Sequence, residues 1–285
     1  MAKVLGIDVG GTHIRYGIVE KKHVSSVEKL LTKNVDDFVR FVTNIVLHYP
    51  DIDVISIGLP GIVKDNRIIS LPNLKKFEQH DMADQIELST SKKVYIHKDV
   101  NLLFANDLER LNLQEEANVL GFYLGTGLGN AIKIDGKLRM GSNGFAGELG
   151  HIPVIGNLRP CSCGKIGCAE TLVSGRVLQS LFVEEALSGD FKDIFTNHKD
   201  HPKLVAFIQN LAMLMSMEIN ALDILTLILG GGVINMVDFP KEDLRKIIIN
   251  NLRSELLNDQ LNMYFVDDSP IHSIIGAALL IKEKI

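Results

Sequence analysis

The chain has 285 residues, 46% of them hydrophobic and 23% charged, and a net charge of −5. This length fits two domains of ordinary size, or one large α/β unit, with a sizeable core. Interspersed acids and bases exclude a concentrated nucleic-acid-binding surface; with no charged-then-apolar leader and no apolar run of about 18 residues, a cytoplasmic protein without a membrane partner is expected.

The first predicted element is a hairpin. VLGIDVGGTHIRYGIVEKK (4–22) reaches a glycine cluster after one short apolar run, then continues as an alternating strand ending in a charged turn. Its turn is richer in glycine than chain reversal requires. Glycine lets backbone N–H groups approach an anion with no Cβ in the way, and an ordinary tight turn is the alternative. VDDFVRFVTNIVLHY (35–49) carries apolar residues at helical spacing, and VISIGLPGIV (54–63) is a strand running into a Pro-Gly turn. KVYIHKDV (93–100) is a short strand followed by the helix NLLFANDLERL. VLGFYLGTGLGNAIKIDGK (119–137) then repeats the opening pattern. Two such hairpins at equivalent places argue for duplicated domains facing one nucleotide.

All three cysteines fall in one stretch, AGELGHIPVIGNLRPCSCGKIGCAE (146–170). From His151 there are nine intervening residues to Cys161, then Ser162 and Cys163, then four more residues to Cys168. In a reducing compartment such clusters are metal ligands more often than disulfide partners. Three thiolates with one imidazole suit a closed, tetrahedral, structural Zn2+ site; three buried cysteines beside a core histidine is the alternative. PKLVAFIQNLAMLMSMEINAL (202–222) predicts a long amphipathic helix whose methionines fill core. TLILGGGVIN (226–235) returns to a buried strand ending in three glycines, and IHSIIGAALLIKEKI (271–285) closes with a helix. This alternation predicts α/β domains with central sheets.

Six motifs in this order resemble those of the ROK family of sugar kinases and repressors. They are Asp8-Val9-Gly10-Gly11-Thr12-His13-Ile14-Arg15, Lys98-Asp99-Val100-Asn101, Leu124-Gly125-Thr126-Gly127-Leu128-Gly129, Gly147-Glu148-Leu149-Gly150-His151, the cysteine cluster, and Leu229-Gly230-Gly231-Gly232-Val233. The resemblance covers almost the whole chain. It implies an α/β fold of the actin-like ATPase (ribonuclease H-like), hexokinase-like type, with two α/β domains flanking a nucleotide and sugar cleft. The domains expected are a smaller N-terminal one (1–112), a larger C-terminal one with the zinc site (113–270), and a terminal helix (271–285) packing back on the first.

The same resemblance implies transfer of the γ-phosphoryl group of ATP to the 6-hydroxyl of a hexose. That chemistry needs a cradled triphosphate, Mg2+ and an oriented nucleophile. Gly10, Gly11 and Thr12 resemble the family's first phosphate loop, and Gly125, Thr126, Gly127 and Gly129 the second. Asp8 is expected to engage Mg2+. Gly230, Gly231 and Gly232 would offer backbone to the adenosine, with a tight strand-to-helix turn as the alternative. Asp99 is the expected general base, although an aspartate there, considered alone, reads as a helix cap. Gly61, Asn73, Lys98, Asp99, Glu148, His151 and Glu170 are the sugar-binding set. The alternatives are turn chemistry for Asn73 and solvated surface acids for the two glutamates. His151, Cys161, Cys163 and Cys168 are the metal set, with the second nitrogen of His151 left for the sugar.

Lys98 replaces the asparagine usual in the family's glucose kinases, and its ammonium donates hydrogen bonds but cannot accept them. Asp107 stands where a glutamate is usual. Lys98, Phe145 and ILGGGVINMVDFP together resemble the family's allose kinases, implying D-allose as substrate, with glucose or N-acetylmannosamine as alternatives. The family's repressors carry a helix-turn-helix ahead of the first hairpin, where this sequence has only a few residues, so a DNA partner is not expected. A non-catalytic sugar sensor is the reading of another class, and it leaves Asp99 without a task. Relatives are commonly dimers, and a homodimer is compatible with the long helices after Cys168.

Overall fold

Each glycine hairpin opens a sheet. The first apolar run is β1 (Val4–Val9), which turns through residues 10–12 into β2 (His13–Glu20), with Gly6 opposite Gly17 and Asp8 opposite Arg15. Then come β3 (His23–Leu31), α1 (Phe38–His48), β4 (Val54–Leu59), β5 (Ile62–Lys64), β6 (Arg67–Ser70), α2 (Met82–Thr90), β7 (Lys93–Lys98) and α3 (Asp99–Arg110). The second hairpin is β8 (Val119–Leu124) and β9 (Leu128–Ile134), followed by the short β10 (Lys137–Leu138). After a long stretch with only short helical turns come α4 (Gly175–Glu184), α5 (Ile194–His198), α6 (Pro202–Leu222), β11 (Thr226–Gly230), α7 (Lys241–Asn251), β12 (Asn262–Phe265) and α8 (His272–Leu279). These elements belong to a computed structural model that describes residues 2–21, 23–282 and 284. Lys22, which ends the first hairpin segment, lies outside the described residues, as do Met1 and, in the closing stretch, Glu283 and Ile285.

The strand orders are β3-β2-β1-β4-β7 and β10-β9-β8-β11-β12. In each, an antiparallel meander supplies three strands and two further strands add in parallel on the other side. The sequence repeat is thus a repeat of topology. β5 and β6 pair separately as a small ribbon.

The chain forms two compact units. Unit one comprises Met1–Gln114, Met140–Ala146 and Ser269–Ile285; unit two comprises Glu115–Arg139 and Gly147–Asp268. In unit one, β1 and β4 are buried along their whole length, and α1 buries Phe38, Val42, Ile45 and Val46 at the spacing of one helical face. Asp37 opens α1 by accepting from Arg40 N at 2.9 Å. In unit two, α6 carries Leu204, Phe207, Leu211, Met215 and Ile219 into the core. It is the one described helix long and apolar enough to span a membrane, yet ten of its residues are buried within the unit. Of its methionines only Met215 fills core. Met213 and Met217, four residues apart, lie on the outer face, correcting the expectation that all three pack inside.

The last helix, α8, lies against β1, β2, β4 and α3, all in unit one. A Cβ on Gly6 would stand 2.7 Å from Ile274 O, and Ser56 Oγ donates to Ala277 O at 2.7 Å. A Cβ on Gly276 would drive into Leu102 O. Gly276→Ala is therefore expected to cost about 3 kcal/mol of stability through overpacking. A lower urea midpoint at unchanged m is the result that checks it.

Candidate active site and metal centre

In unit one the first hairpin is braced from β3's end. Thr32 N donates to Thr12 O (2.9 Å) and Thr32 Oγ1 to Gly10 O (2.7 Å). Gly10 N is itself occupied by His13 O at 2.8 Å. The backbone donors without a partner among the described residues are those of Gly11 and Thr12, at the exposed tip. Asp8, just below, is buried on the face that meets α8. Its Oδ2 accepts from Ser273 Oγ at 2.8 Å and from Arg15 Nη1 at 3.3 Å.

β7 ends at Lys98 and α3 begins at Asp99. Lys98 is 5% exposed, and its Nζ donates to Ala146 O at 3.0 Å, inside the same unit. Asp99 Oδ1 accepts from Val100 N at 2.8 Å. The carboxylate thus sits in the first turn of a 12-residue helix, where unsatisfied N–H groups favour negative charge. Asn101 is buried, with Nδ2 3.3 Å from Met140 Sδ. Asn73 lies in an exposed turn closed by Leu74 N donating to Leu71 O at 3.0 Å, the turn chemistry weighed against a sugar contact. Gly61 has no room for a side chain, because a Cβ would meet Ser70 O.

In unit two, Gly125 N donates to Gly127 O at 3.0 Å, and α4 starts against the turn through Gly175 N to Gly125 O (2.8 Å). Thr126 and Gly127 keep N–H groups without a partner among the described residues; Gly129 lies in β9. Glu170 is not a free surface acid. Its Oε2 accepts from Leu128 N at 3.1 Å and fills the place a Cβ on Gly127 would take. At the end of β11 the three glycines divide. A Cβ on Gly230 would meet Val266 and Tyr123, and Gly231, at φ +94°, lies against Leu124. Both are required by packing, whereas Gly232 is exposed with open space around it.

The metal set converges. The ligand atoms of His151, Cys161, Cys163 and Cys168 lie within 4.8 Å of one another. Cys161 Sγ is 3.7 Å from His151 Nδ1, and Cys163 Sγ is 3.6 Å from Cys168 Sγ. Ligands at about 2.3 Å around a tetrahedral zinc ion stand about 3.8 Å apart, so the donor set fits that ion in number, type and spacing. Burial, reinforced by the neighbouring thiols, pushes the Cys168 thiol up to about 12. His151 turns Nδ1 to the thiols and leaves Nε2 4.0 Å from Glu148 Oε2.

Sequence reasoning missed one group near this loop. Glu218, on α6, is 9% exposed, and Asn130 Nδ2 donates to its Oε2 at 2.9 Å. Desolvation raises its pKa to about 7. Asn130 also backs Gly147, whose φ of +78° sets its Cα against Asn130 O and leaves no room for a side chain. The only signal available was one glutamate among apolar neighbours of a helix, and such residues usually face solvent.

Two like sheets, each with an exposed glycine hairpin, define an α/β protein of the actin-like ATPase fold. The chain belongs to the ROK family, whose sequence pattern matches residues 4–284. It is 29% identical over 297 residues to an N-acetylmannosamine kinase of Vibrio cholerae, covering 99% of this chain and 100% of that protein. It is 26% identical to a glucokinase of Thermotoga maritima, covering 99% and 98%. Among solved structures, a ROK family glucokinase from Streptomyces griseus, in complex with glucose and AMPPNP, matches with a TM-score of 0.77 at 25% identity, covering 99% of this chain and 100% of that one. Those names carry N-acetylmannosamine and glucose, not allose.

Purified protein is expected to hold about one zinc per chain by elemental analysis. Cys163→Ser should lose it and lower Tm by about 5 °C or more. A metal-free wild type of equal stability would refute the site. For Glu218 the folded pKa lies above the unfolded one, so the fold retains a proton that the unfolded chain releases. Stability relative to Glu218→Gln should fall as pH rises from about 4.5 to about 7, by about 3 kcal/mol in all, and then level off. Urea unfolding of both proteins across pH 4–8 reads this difference.

Proposed function

We propose that this protein is an ATP-dependent hexose kinase that acts in a reducing cytoplasm and phosphorylates the 6-hydroxyl of D-allose. Membership of the ROK family and similarity to named kinases along the full length support phosphoryl transfer. The observation that carries the mechanism is Asp99, a carboxylate in the first turn of α3 directly after the buried Lys98.

In this mechanism the sugar's 6-hydroxyl passes its proton to Asp99 as its oxygen attacks the γ-phosphorus of ATP. The free N–H groups at the hairpin tips, those of Gly11, Thr12, Thr126 and Gly127, would donate to phosphate oxygens. Asp8, a buried carboxylate of the donor type magnesium takes, would hold the Mg2+ that travels with the nucleotide. That ion, when bound, neutralises charge on the phosphates. Gly232 is the glycine of its run with room beside it for adenosine. Gly61, Asn73, Lys98, Glu148, His151 and Glu170 would bind the sugar, and zinc on His151, Cys161, Cys163 and Cys168 would fix the loop that carries three of them.

Allose rests on Lys98, Phe145 and the stretch from Ile228 to Pro240. A donor-only ammonium asks for a sugar oxygen that accepts, and its hold on Ala146 O fixes where that donor stands. N-acetylmannosamine is the second reading, favoured by 29% identity to such a kinase over 99% of the chain.

The test is ATP-dependent turnover of allose, glucose, mannose and N-acetylmannosamine by wild type and Asp99→Asn. Allose is expected to give the highest kcat/KM, and the variant to lose between about 10²- and 10⁴-fold. A lead by N-acetylmannosamine would move the substrate and keep the chemistry. No turnover of any sugar by folded, zinc-loaded protein would overturn the kinase function.

A further inference from the structure

Asp8 does not point by chance. Its Oδ2 is shared by two donors of different kinds: the hydroxyl of Ser273 at 2.8 Å, and Nη1 of Arg15 at 3.3 Å. The first is a well-formed hydrogen bond between two buried side chains. The second is long for a charge-assisted contact, which closes to about 2.7–2.9 Å when unopposed. Arg15 stands opposite Asp8 in the β1–β2 register, so nothing in the backbone keeps the two apart. Among the described residues Asp8 is the one hydrogen-bonding partner of Arg15, and Arg15 Nε is buried with none. An arginine and a carboxylate in that position ordinarily close into a two-pronged pair.

Ser273 is fixed independently of both. It lies in the first turn of α8, a helix seated by the close approach of Gly6 to Ile274 O, by Gly276 against Leu102 O, and by Ser56 Oγ on Ala277 O. Its hydroxyl therefore competes with Arg15 from a rigid base.

We infer that Ser273 is a positioning residue whose hydroxyl holds the Asp8 carboxylate against closure onto Arg15 and so keeps it available to Mg2+. This rests on the kinase function proposed above. Without the hydroxyl, Arg15 takes the carboxylate and competes with the metal.

The experiment is calorimetric titration of Mg2+ into protein with a non-hydrolysable ATP analogue. The proteins are wild type, Ser273→Ala, Arg15→Met and the double variant, each checked for folding by thermal melting. Ser273→Ala is expected to weaken Mg2+-dependent binding about 10-fold. The double variant is expected to return to within about 3-fold of wild type, because the competitor is gone, and Arg15→Met alone to bind Mg2+ no more weakly than wild type. A role of Ser273 confined to seating α8 would leave the double variant as weak as the single one, and that result overturns the inference. So does an unchanged Ser273→Ala. Should Ser273→Ala fail to fold, weaker Mg2+ binding by Arg15→Met alone still overturns it. A wild type that binds the analogue with no response to Mg2+ removes the kinase function itself, and the inference with it.

Discussion

Two helices of unit one lie closer to a sheet than side chains permit, and the geometry of that unit follows from it. Gly6 admits the backbone of α8, and Gly58, whose Cβ would stand 2.5 Å from Leu102 Cδ2 and 3.3 Å from Asp99 Cα, admits the start of α3. Gly276 lets the two helices meet at Leu102 O. Because backbone makes the nearest contacts at Gly6 and Gly276, no rotamer can absorb a shift there. Close-packed interiors transmit such displacements. Asp8, Asp99 and Ser273 each stand within two residues of one of these contacts, and their positions are fixed by it. The glycines therefore fix the positions of these three side chains as directly as they serve packing.

Unit two solves the same problem with other means. The stretch from Gly147 to Thr171 contains only two short helical turns and isolated bridges, and its Ile155, Leu158 and Ile166 face solvent. It sends only Leu149 and Ala169, with the half-buried Ile152 and Val154, into the core. Polar ties hold it: Asn157 Nδ2 to Cys168 O (3.1 Å) and Thr171 Oγ1 (2.9 Å), and Arg159 Nη1 to Thr171 O (2.9 Å), around a four-residue donor cluster that could bind a metal. A metal that binds only the folded loop converts its binding free energy into order. Glu170, two residues past the last thiol, carries that order to Leu128 N and hence to the second hairpin. The thiols are therefore coupled to the second glycine hairpin through one carboxylate.

The hairpins, the buried strands, α3 and α6 were legible in the sequence because each couples a strong hydrophobic period to a glycine or capping signal. The edge strand β3 was not. Seven of its nine residues are exposed, so no apolar alternation marks it, and only pairing to β2 makes it a strand. The cysteine cluster was readable from spacing, since metal ligands must be side chains of particular types whatever the backbone does. Tertiary partners were not readable. Nothing local tells that Glu170 reaches Leu128 N, that Glu218 is buried on Asn130, or that Ser273 meets Asp8 across 265 positions. The glycines after β11 show the limit from the other side. Three identical letters do two different jobs, and only the space around each separates the packing pair, Gly230 and Gly231, from Gly232.

Lys98 gives the same lesson for specificity. Considered as a letter it is a donor substituted for an amide, and its effect on a sugar would be a matter of hydrogen-bond roles. In the fold its ammonium ends on Ala146 O, and Asn101, three residues on, touches Met140 at the other end of the same short segment. Met140–Ala146 thus packs as part of unit one, although the sequence places it between two stretches of unit two. An asparagine at position 98 is too short to reach that carbonyl, and its loss would untie the segment that displays Phe145 as well as change the donor set. Position 98 and residues 140–146 are therefore tied into one structural unit. The buried lysine and the exposed phenylalanine, cited together in the sequence, are thus joined in the fold through one short segment.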